Sequence, residues 1–415
     1  MHDKDLYARI LGIQLPWRVT EVALRLEAGE VQVEVAADRG ALRCPTCGQA
    51  SPGYDTRERR WRHLDTCQYR TIVIVQVPRV NCATHGVVQV VVPWAAAGSR
   101  FTALFEALVI DWLGEASLAA VGRRLQLSWD EVDGIMSRAV TRGLARRQVA
   151  SPRRIGVDET SFQKRHEYVT VVCDLDRDRV LHVADEHSEA SLAGFYESIG
   201  AAACAGLEVI AVDMWRPYIA ATRRFVPEAD RKIAFDKFHV ARLLGHAVDL
   251  VRRAEHRTLR ARGEATLAGT RYWWLTNPAR MDAQRWHQFG PLRQSALKTA
   301  RAWAIKELAM ALWGYVRRGW AAKAWAAWLS WALRCRLAPV RKVAETIRKY
   351  LWGILNAIVS RTTNALGEGM NSRIQELKRR ACGYRNRDRF RNAIYFHLGG
   401  LDLYPVAALN SHTTS

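Results

Sequence analysis

The chain has 415 residues and a mass of 47.0 kDa, too long for one ordinary domain, so two to four are expected. Its composition, 49% hydrophobic and 25% charged, excludes a disordered protein, and its net charge of +21 points to a polyanionic partner, nucleic acid ahead of an acidic membrane face. No apolar run reaches the roughly 20 residues that cross a bilayer, since the longest, GVVQVVVPWAAAG, is broken by Gln89 and Pro93. The opening MHDKDLYARI has no signal-peptide layout, so a cytoplasmic protein with no membrane partner is expected.

Residues 1–95 combine strand-like runs such as YRTIVIVQVPRV with closely spaced cysteines. In a reducing compartment such pairs suggest metal more than disulfide. CPTCG at 44–48 and CATHG at 82–86 are two knuckle-like turns, each offering ligands at close spacing and each ending in a glycine. Cys44, Cys47, Cys82 and His85 can close a tetrahedral zinc site, with His63 and Cys67 as alternative ligands. All four positions of such a site are taken by protein, so its zinc is structural and holds a module too small to support much core.

Residues 100–150 read as helices. In SLAAVGRRLQLSWDEVDGIMSRAV, Leu118, Val121 and Leu125 form one apolar stripe and Val132, Ile135 and Met136 a second. A short QLS turn joins them, with Ser128 as N-cap of the second helix. This predicts a helix-turn-helix with Trp129–Arg138 as recognition helix, a plain helical hairpin being the alternative. Asp130, Glu131 and Asp133 make the first turn of that helix acidic, which suits phosphate poorly.

Residues 153–240 alternate: RRIGVDET, EYVTVVCDL and RVLHVAD as strands, ASLAGFYESI as a helix, LEVIAVDM as a strand, PYIAATRRFV as a helix and RKIAFDKF as a strand. That order predicts an α/β domain with a mixed sheet. Residues 241–360 read as almost purely helical, and residues 361–405 as a further basic helix that follows them. Most of the sixteen tryptophans lie in the helical stretch at spacings of three, four or seven, which marks helix faces packed in a core.

Asp158 in IGVDETSF and Asp213 in LEVIAVDM end apolar strands, and strand-end acids share one edge of a sheet. A capping or salt-bridged aspartate is the alternative for each. Magnesium takes carboxylate oxygens while keeping positions open for water and phosphate, and two such ions serve phosphodiester chemistry. Two acids are one short of a good clamp, and Glu368, in LGEGMNSRIQELKRRACGYRN, is the candidate third. Asp236 in DKFHV rivals Asp213 as second ligand, and His239 is either an organiser of the site or a structural histidine.

VDET, VDMWRPYI, DKFHV, YWWLTNP and TNALGEGMNSRIQELKRRACGYRN together resemble a bacterial DDE transposase of the insertion-sequence L-three (ISL-three) group. The resemblance runs from CPTCG to GYRN, nearly the whole chain. Gly367 and Ala365 depart from its pattern, which has an apolar residue before the glutamate and a glycine after the asparagine of TN. The resemblance implies an RNase H-like catalytic domain whose triad is Asp158, Asp213 and Glu368, interrupted by a long helical insertion. With it come two Mg²⁺ or Mn²⁺ ions at the triad, structural Zn²⁺, and phosphodiester hydrolysis followed by strand transfer. The partners it implies are double-stranded DNA, as terminal inverted repeats and target, and a homodimer or larger assembly on that DNA. Asn371, Arg373, Lys378, Arg379, Arg380 and Arg385, with His239, are the residues assigned to DNA. The rival readings are a non-enzymatic DNA-binding regulator and an RNase H-like nuclease without strand transfer.

Overall fold

The computed structural model describes residues 3–38, 42–148, 151–163, 167–361 and 365–405, the side chains of 365–368 excepted. The chain divides into two units, one of residues 1–147 with 391–415, the other of residues 148–390.

In the first unit, α1 (Asp3–Ile10) precedes β1 (Trp17–Arg25), β2 (Glu30–Ala37), β3 (Gly53–Thr66), β4 (Tyr69–Cys82) and β5 (Gly86–Gln89). They form a sheet of order β1-β2-β4-β3, with β5 on the end of β4; β2 and β4 are parallel and the other pairs antiparallel. Alternation in β4 turns Val73, Val75 and Val77 inward, where they join Val33, Val35, Trp61 and Trp94 in one buried cluster. Trp94 meets Trp17 and Trp61 edge-on, with ring centroids 5.1 and 5.8 Å apart.

Three helices follow, α2 (Ala103–Glu115), α3 (Leu118–Leu125) and α4 (Trp129–Arg146). Each starts on a hydroxyl that accepts an otherwise unpaired N–H: Thr102 from Phe105, Ser117 from Ala120 and Ser128 from Glu131. The segment at Leu401 and Asp402 packs on α4 at Gly143, where a Cβ would stand 2.7 Å from the Cβ of Leu401. Arg142 donates to the Leu403 carbonyl and the Tyr404 hydroxyl to Asp111.

The second unit opens with β6 (Arg154–Gln163), β7 (Glu167–Asp174), β8 (Arg179–Asp185), α5 (Glu189–Gly206), β9 (Val209–Val212), α6 (Arg216–Phe225), α7 (Ala229–Lys232) and β10 (Ile233–Phe235). Their sheet has the order β10-β9-β6-β7-β8, with β6, β9 and β10 parallel and β7 and β8 antiparallel, the mixed sheet expected from the strand pattern and the RNase H-like one that the resemblance implies. The helical stretch is α8 (Lys237–Ala261), α9 (Arg271–Leu275), α10 (Ala283–Arg293), α11 (Lys298–Ala311), α12 (Arg318–Arg334) and α13 (Ala338–Ser360). Then come α14 (Ala365–Arg380) and α15 (Arg387–Leu398), whose residues beyond 390 belong to the first unit.

The insertion has the tryptophan core that its spacing predicts: Trp274, Trp325 and Trp328 are buried, and Trp273, Trp286, Trp303, Trp313 and Trp352 pack against that cluster. Trp320 and Trp331 are instead exposed on α12. The core is joined to the sheet where α13 crosses β10. A Cβ on Gly353 would lie 2.4 Å from two ring carbons of Phe235, so only glycine permits that approach. Asn356, one turn on, donates to the carbonyls of Asp230 and Ile233. Among the described residues no helix is long and apolar enough to cross a membrane.

Candidate functional site

The two knuckles meet in space. The end of β4 delivers Cys82, the following turn His85, and the loop before β3 Cys44 and Cys47; all four ligand atoms lie within 4.8 Å of one another. Cys47 Sγ is 3.6 Å from Cys82 Sγ, and His85 Nδ1 is 3.7 Å from Cys44 Sγ and 3.6 Å from Cys82 Sγ. A zinc ion about 2.3 Å from sulfur and about 2.0 Å from nitrogen requires edges of that size, so donor set and geometry fit a closed tetrahedral site. Gly48 and Gly86 turn the knuckles with φ of +74° and +67°, where other residues are strained. Hydrogen bonding to His85 lowers the Cys82 thiol to about 6. The alternative ligands lie elsewhere: His63 is buried beside Thr102 Oγ1 at 2.9 Å, and Cys67 is exposed.

The helix-turn-helix forms as its stripes predict, with Val121, Val132, Ile135 and Met136 all buried. Ser128 and Glu131 complete a capping box, so part of the acidic first turn of α4 serves the backbone. Arg138 donates to the buried Glu106 carboxylate at 2.7 and 2.9 Å, which makes it a structural link between α4 and α2. Arg123 and Arg124, just before the turn, are exposed.

In the second unit three acids form a row. β6 and β9 run parallel and pair as far as Gly156 opposite Ala211. Asp213 directly follows β9, whereas Asp158 lies inside β6 and not at its end as the apolar run suggested, and the charge of Asp213 acts on it. β9 and β10 run parallel with Val212 opposite Phe235, which sets Asp213 beside Asp236. Neighbouring strands lie about 4.8 Å apart, and equivalent positions point to the same face.

The three differ in what holds them. Asp236 is buried and fully engaged, Oδ1 accepting the Phe238 N–H at 3.1 Å as cap of α8 and Oδ2 accepting from His239 Nδ1 at 3.1 Å. Asp158 is half-buried, Oδ1 accepting the Glu159 N–H at 2.8 Å and Oδ2 the Asn371 side-chain amide at 2.7 Å. Asp213 Oδ1 accepts the Trp215 N–H at 3.1 Å. Burial raises the Asp158 and Asp213 carboxyls; the charges of Asp236 and Asp213 add to the first, and that of Glu159 to the second. His239 is raised by its bond to Asp236. The chemistry of the row suits a divalent cation, which relieves crowded, partly desolvated carboxylates.

The backbone of Glu368 lies in the first turn of α14, and its side chain is outside the described residues. Of the residues assigned to DNA, Asn371 is turned to Asp158, Lys378 donates to the Ser161 carbonyl at 2.9 Å, Arg373 pairs with Asp178 at 2.7 Å and Arg379 with Glu376 at 2.6 Å. Arg380 and Arg385 are exposed, and His239 is half-buried. A shallow groove of about 410 Å³ runs between β6 and α14, lined by Glu159, Thr160, Asn371, Ser372 and Arg379.

Sequence reasoning missed two neighbours. Gln375 ties α14 to Thr160 at 2.7 Å. Glu159 adds a fourth acid, with Oε1 3.6 Å from His187 Nδ1, and the His187 ring stands edge-on to Trp215 at 5.2 Å and Tyr168 at 5.7 Å. VDET shows Glu159 plainly, but nothing in the string marks His187 as its partner.

A zinc knuckle, a helix-turn-helix and an RNase H-like sheet carrying neighbouring acids define a class of DNA-binding protein. Residues 155–394 match the ISL3 DDE transposase family, residues 41–85 the zinc-finger of transposases IS204, IS1001, IS1096 and IS1165, and residues 90–140 the helix-turn-helix domain of the ISL3 family. The chain belongs to the ISL3 family of transposases, and it binds DNA. The transposase for insertion sequence element IS1557 of Mycobacterium tuberculosis is 30% identical, covering 93% of this chain and 93% of its own. The transposase for IS1001 of Bordetella parapertussis is 27% identical over 84% of this chain and 86% of its own.

Proposed function

We propose that this transposase recognises the terminal inverted repeats of its own element through the zinc module and helix-turn-helix, and cuts and joins DNA at Asp158, Asp213 and Glu368. The observation that carries this is the closeness of Asp158 and Asp213, where the charge of one raises the other, with α14 brought to Asp158 through Asn371. Asp213 is preferred to Asp236 because Asp236 is buried as the cap of α8, whereas Asp213, like Asp158, is half-buried. Two Mg²⁺ or Mn²⁺ ions held by the three acids would supply Lewis-acid activation of a water or 3′-hydroxyl and stabilise the leaving oxygen.

The protein's own groups set the stage for that chemistry. Asn371 and the Glu159 N–H fix the orientation of the Asp158 carboxylate. Asp236 holds Nδ1 of His239, which leaves Nε2 to face a phosphate oxygen. Arg373, Arg379, Arg380 and Arg385 contact the flanking backbone, Arg373 and Arg379 by exchanging a surface carboxylate for a phosphate. Lys378, held by Ser161, keeps α14 on β6. Zinc at Cys44, Cys47, Cys82 and His85 holds the N-terminal module. Two DNA ends must be handled together, so the acting form is a homodimer or larger, working in the cytoplasm on the nucleoid.

The test supplies, in magnesium buffer, an uncut terminal-repeat duplex to read cutting and a pre-cut duplex with a target plasmid to read joining. Joined products are expected. Binding without cutting or joining would establish a regulator, and cutting without joining a nuclease.

A further inference from the structure

We infer that a groove between α6 and α13, outside the carboxylate row, is a second DNA-backbone track that takes the strand as it leaves the site; this rests on the transposase reading above. Helix α6 begins three residues after Asp213. Its Tyr218 and Thr222 face inward, bonded to Thr170 of β7 at 2.8 Å and Tyr196 of α5 at 2.9 Å. Another stripe, Arg216, Ile219, Ala220 and Arg223, follows the i, i+3, i+4, i+7 pattern and lines the groove. The facing wall is Lys349, Tyr350 and Trp352 of α13, and the volume is about 410 Å³.

Charge and shape select the occupant. Three cations and no carboxylate line the groove among the described residues. Arg223 stands over the Trp352 ring at 5.6 Å and Lys349 over the Tyr350 ring at 5.3 Å. Phe235 supports both rings from beneath, 5.0 Å from Trp352 and 5.4 Å from Tyr350, so the aromatic wall is rigid. Fixed aromatic surface with interleaved cations suits a nucleic-acid strand, whatever its sequence. Arg216 and Arg223 are seven residues apart, about 10.5 Å along a helix. That reach is longer than one backbone step, so the two arginines can meet different phosphates of one strand. Arg223 also pairs with Asp230 at 2.7 Å, both side chains being more than half exposed. Such a surface pair is weak enough for a phosphate to replace its carboxylate.

Two variants test the track in opposite directions, read by anisotropy of a labelled terminal-repeat duplex across a salt series. The triple variant R216A/R223A/K349A is expected to bind about tenfold or more weakly and to flatten the log–log salt slope by about 2–3, while R216K/R223K keeps the slope. D230N frees Arg223 and is expected to tighten binding about two- to fivefold, a gain that misfolding cannot produce. The charge-matched control is K298A/R301A/K323A, on exposed positions of α11 and α12. Equal slopes for the triple variant and that control, or no gain with D230N, would overturn the track while leaving the transposase reading intact. Failure of the wild type to prefer the terminal-repeat duplex over a scrambled duplex would instead overturn the transposase reading and the track with it.

Discussion

Asn371 on α14 donates its side-chain amide to Asp158 on β6 at 2.7 Å, joining residues 213 apart in the sequence. Asp158 thereby receives the orientation its strand alone does not fix. The same bond brings to β6 the helix whose preceding turn carries Glu368, three residues earlier. N371A is expected to lower end cleavage about 10- to 100-fold, as loss of a partner to a metal-binding carboxylate does. N371D sets a like charge against Asp158 and should be worse, with the difference shrinking at high magnesium. Single-turnover rates against metal concentration check this; equal rates for the two variants would contradict it.

The raised Asp158 and Asp213 carboxyls bear on stability as well as chemistry. A carboxyl raised on folding contributes stability that is complete below its unfolded pKa and lost as pH rises through its folded pKa. Without metal, the row therefore destabilises the protein at neutral pH. D158N and D213N should each raise the Tm in chelator at pH 7, and the gain should vanish as pH falls below the ordinary carboxylate range. Magnesium should raise the wild-type Tm more than that of either variant. Scanning calorimetry at several pH values decides it; a lowered Tm at pH 7 for both variants would refute the account of crowded charge.

These predictions differ in how far the sequence could have supplied them. The succession of strands and helices and the place of Asp213 just past β9 follow from short apolar runs, because period two and length mark buried strands. Asp158, expected at a strand end, lies inside β6, which runs on to Gln163 because its polar residues still pair with β7. The zinc ligands are legible because two knuckles repeat one spacing, each with its glycine. The partners of Asn371 and Glu159 are not legible: spacing along one helix or strand says nothing of which distant strand a side chain meets. Trp320 and Trp331 share the helical spacing of their buried neighbours yet are exposed, because spacing gives a face without saying what covers it.

Zinc should be stoichiometric and confined to the first unit. One ion per chain is expected on release and colorimetric assay, and C82S should reduce it to near zero. The variant should lose specific end binding while hydrogen exchange in β6, β9 and β10 stays as in the wild type. Zinc retained in C82S would show that Cys82 is not a ligand.

At the crossing of α13 and β10, G353A places a methyl group against Phe235 and is expected to destabilise by about 1–3 kcal/mol. Trimming the ring with F235L in the G353A background should recover part of that loss, since the two residues are in contact. Denaturant titration of the four proteins closes the cycle; strictly additive losses would show that the clash is relieved elsewhere.

The central claim is that Asp158, Asp213 and Glu368 act as one catalytic unit on DNA ends. The direct measurement is magnesium-dependent cleavage of a terminal-repeat duplex by wild type, D158N, D213N and E368Q, with D236N alongside and binding measured in parallel. Wild type should cut, and each triad variant should bind normally but cut about 10³-fold or more slowly, with the double variants no worse than the singles. D236N should fall less. Cleavage by all three triad variants at the wild-type rate would contradict the account.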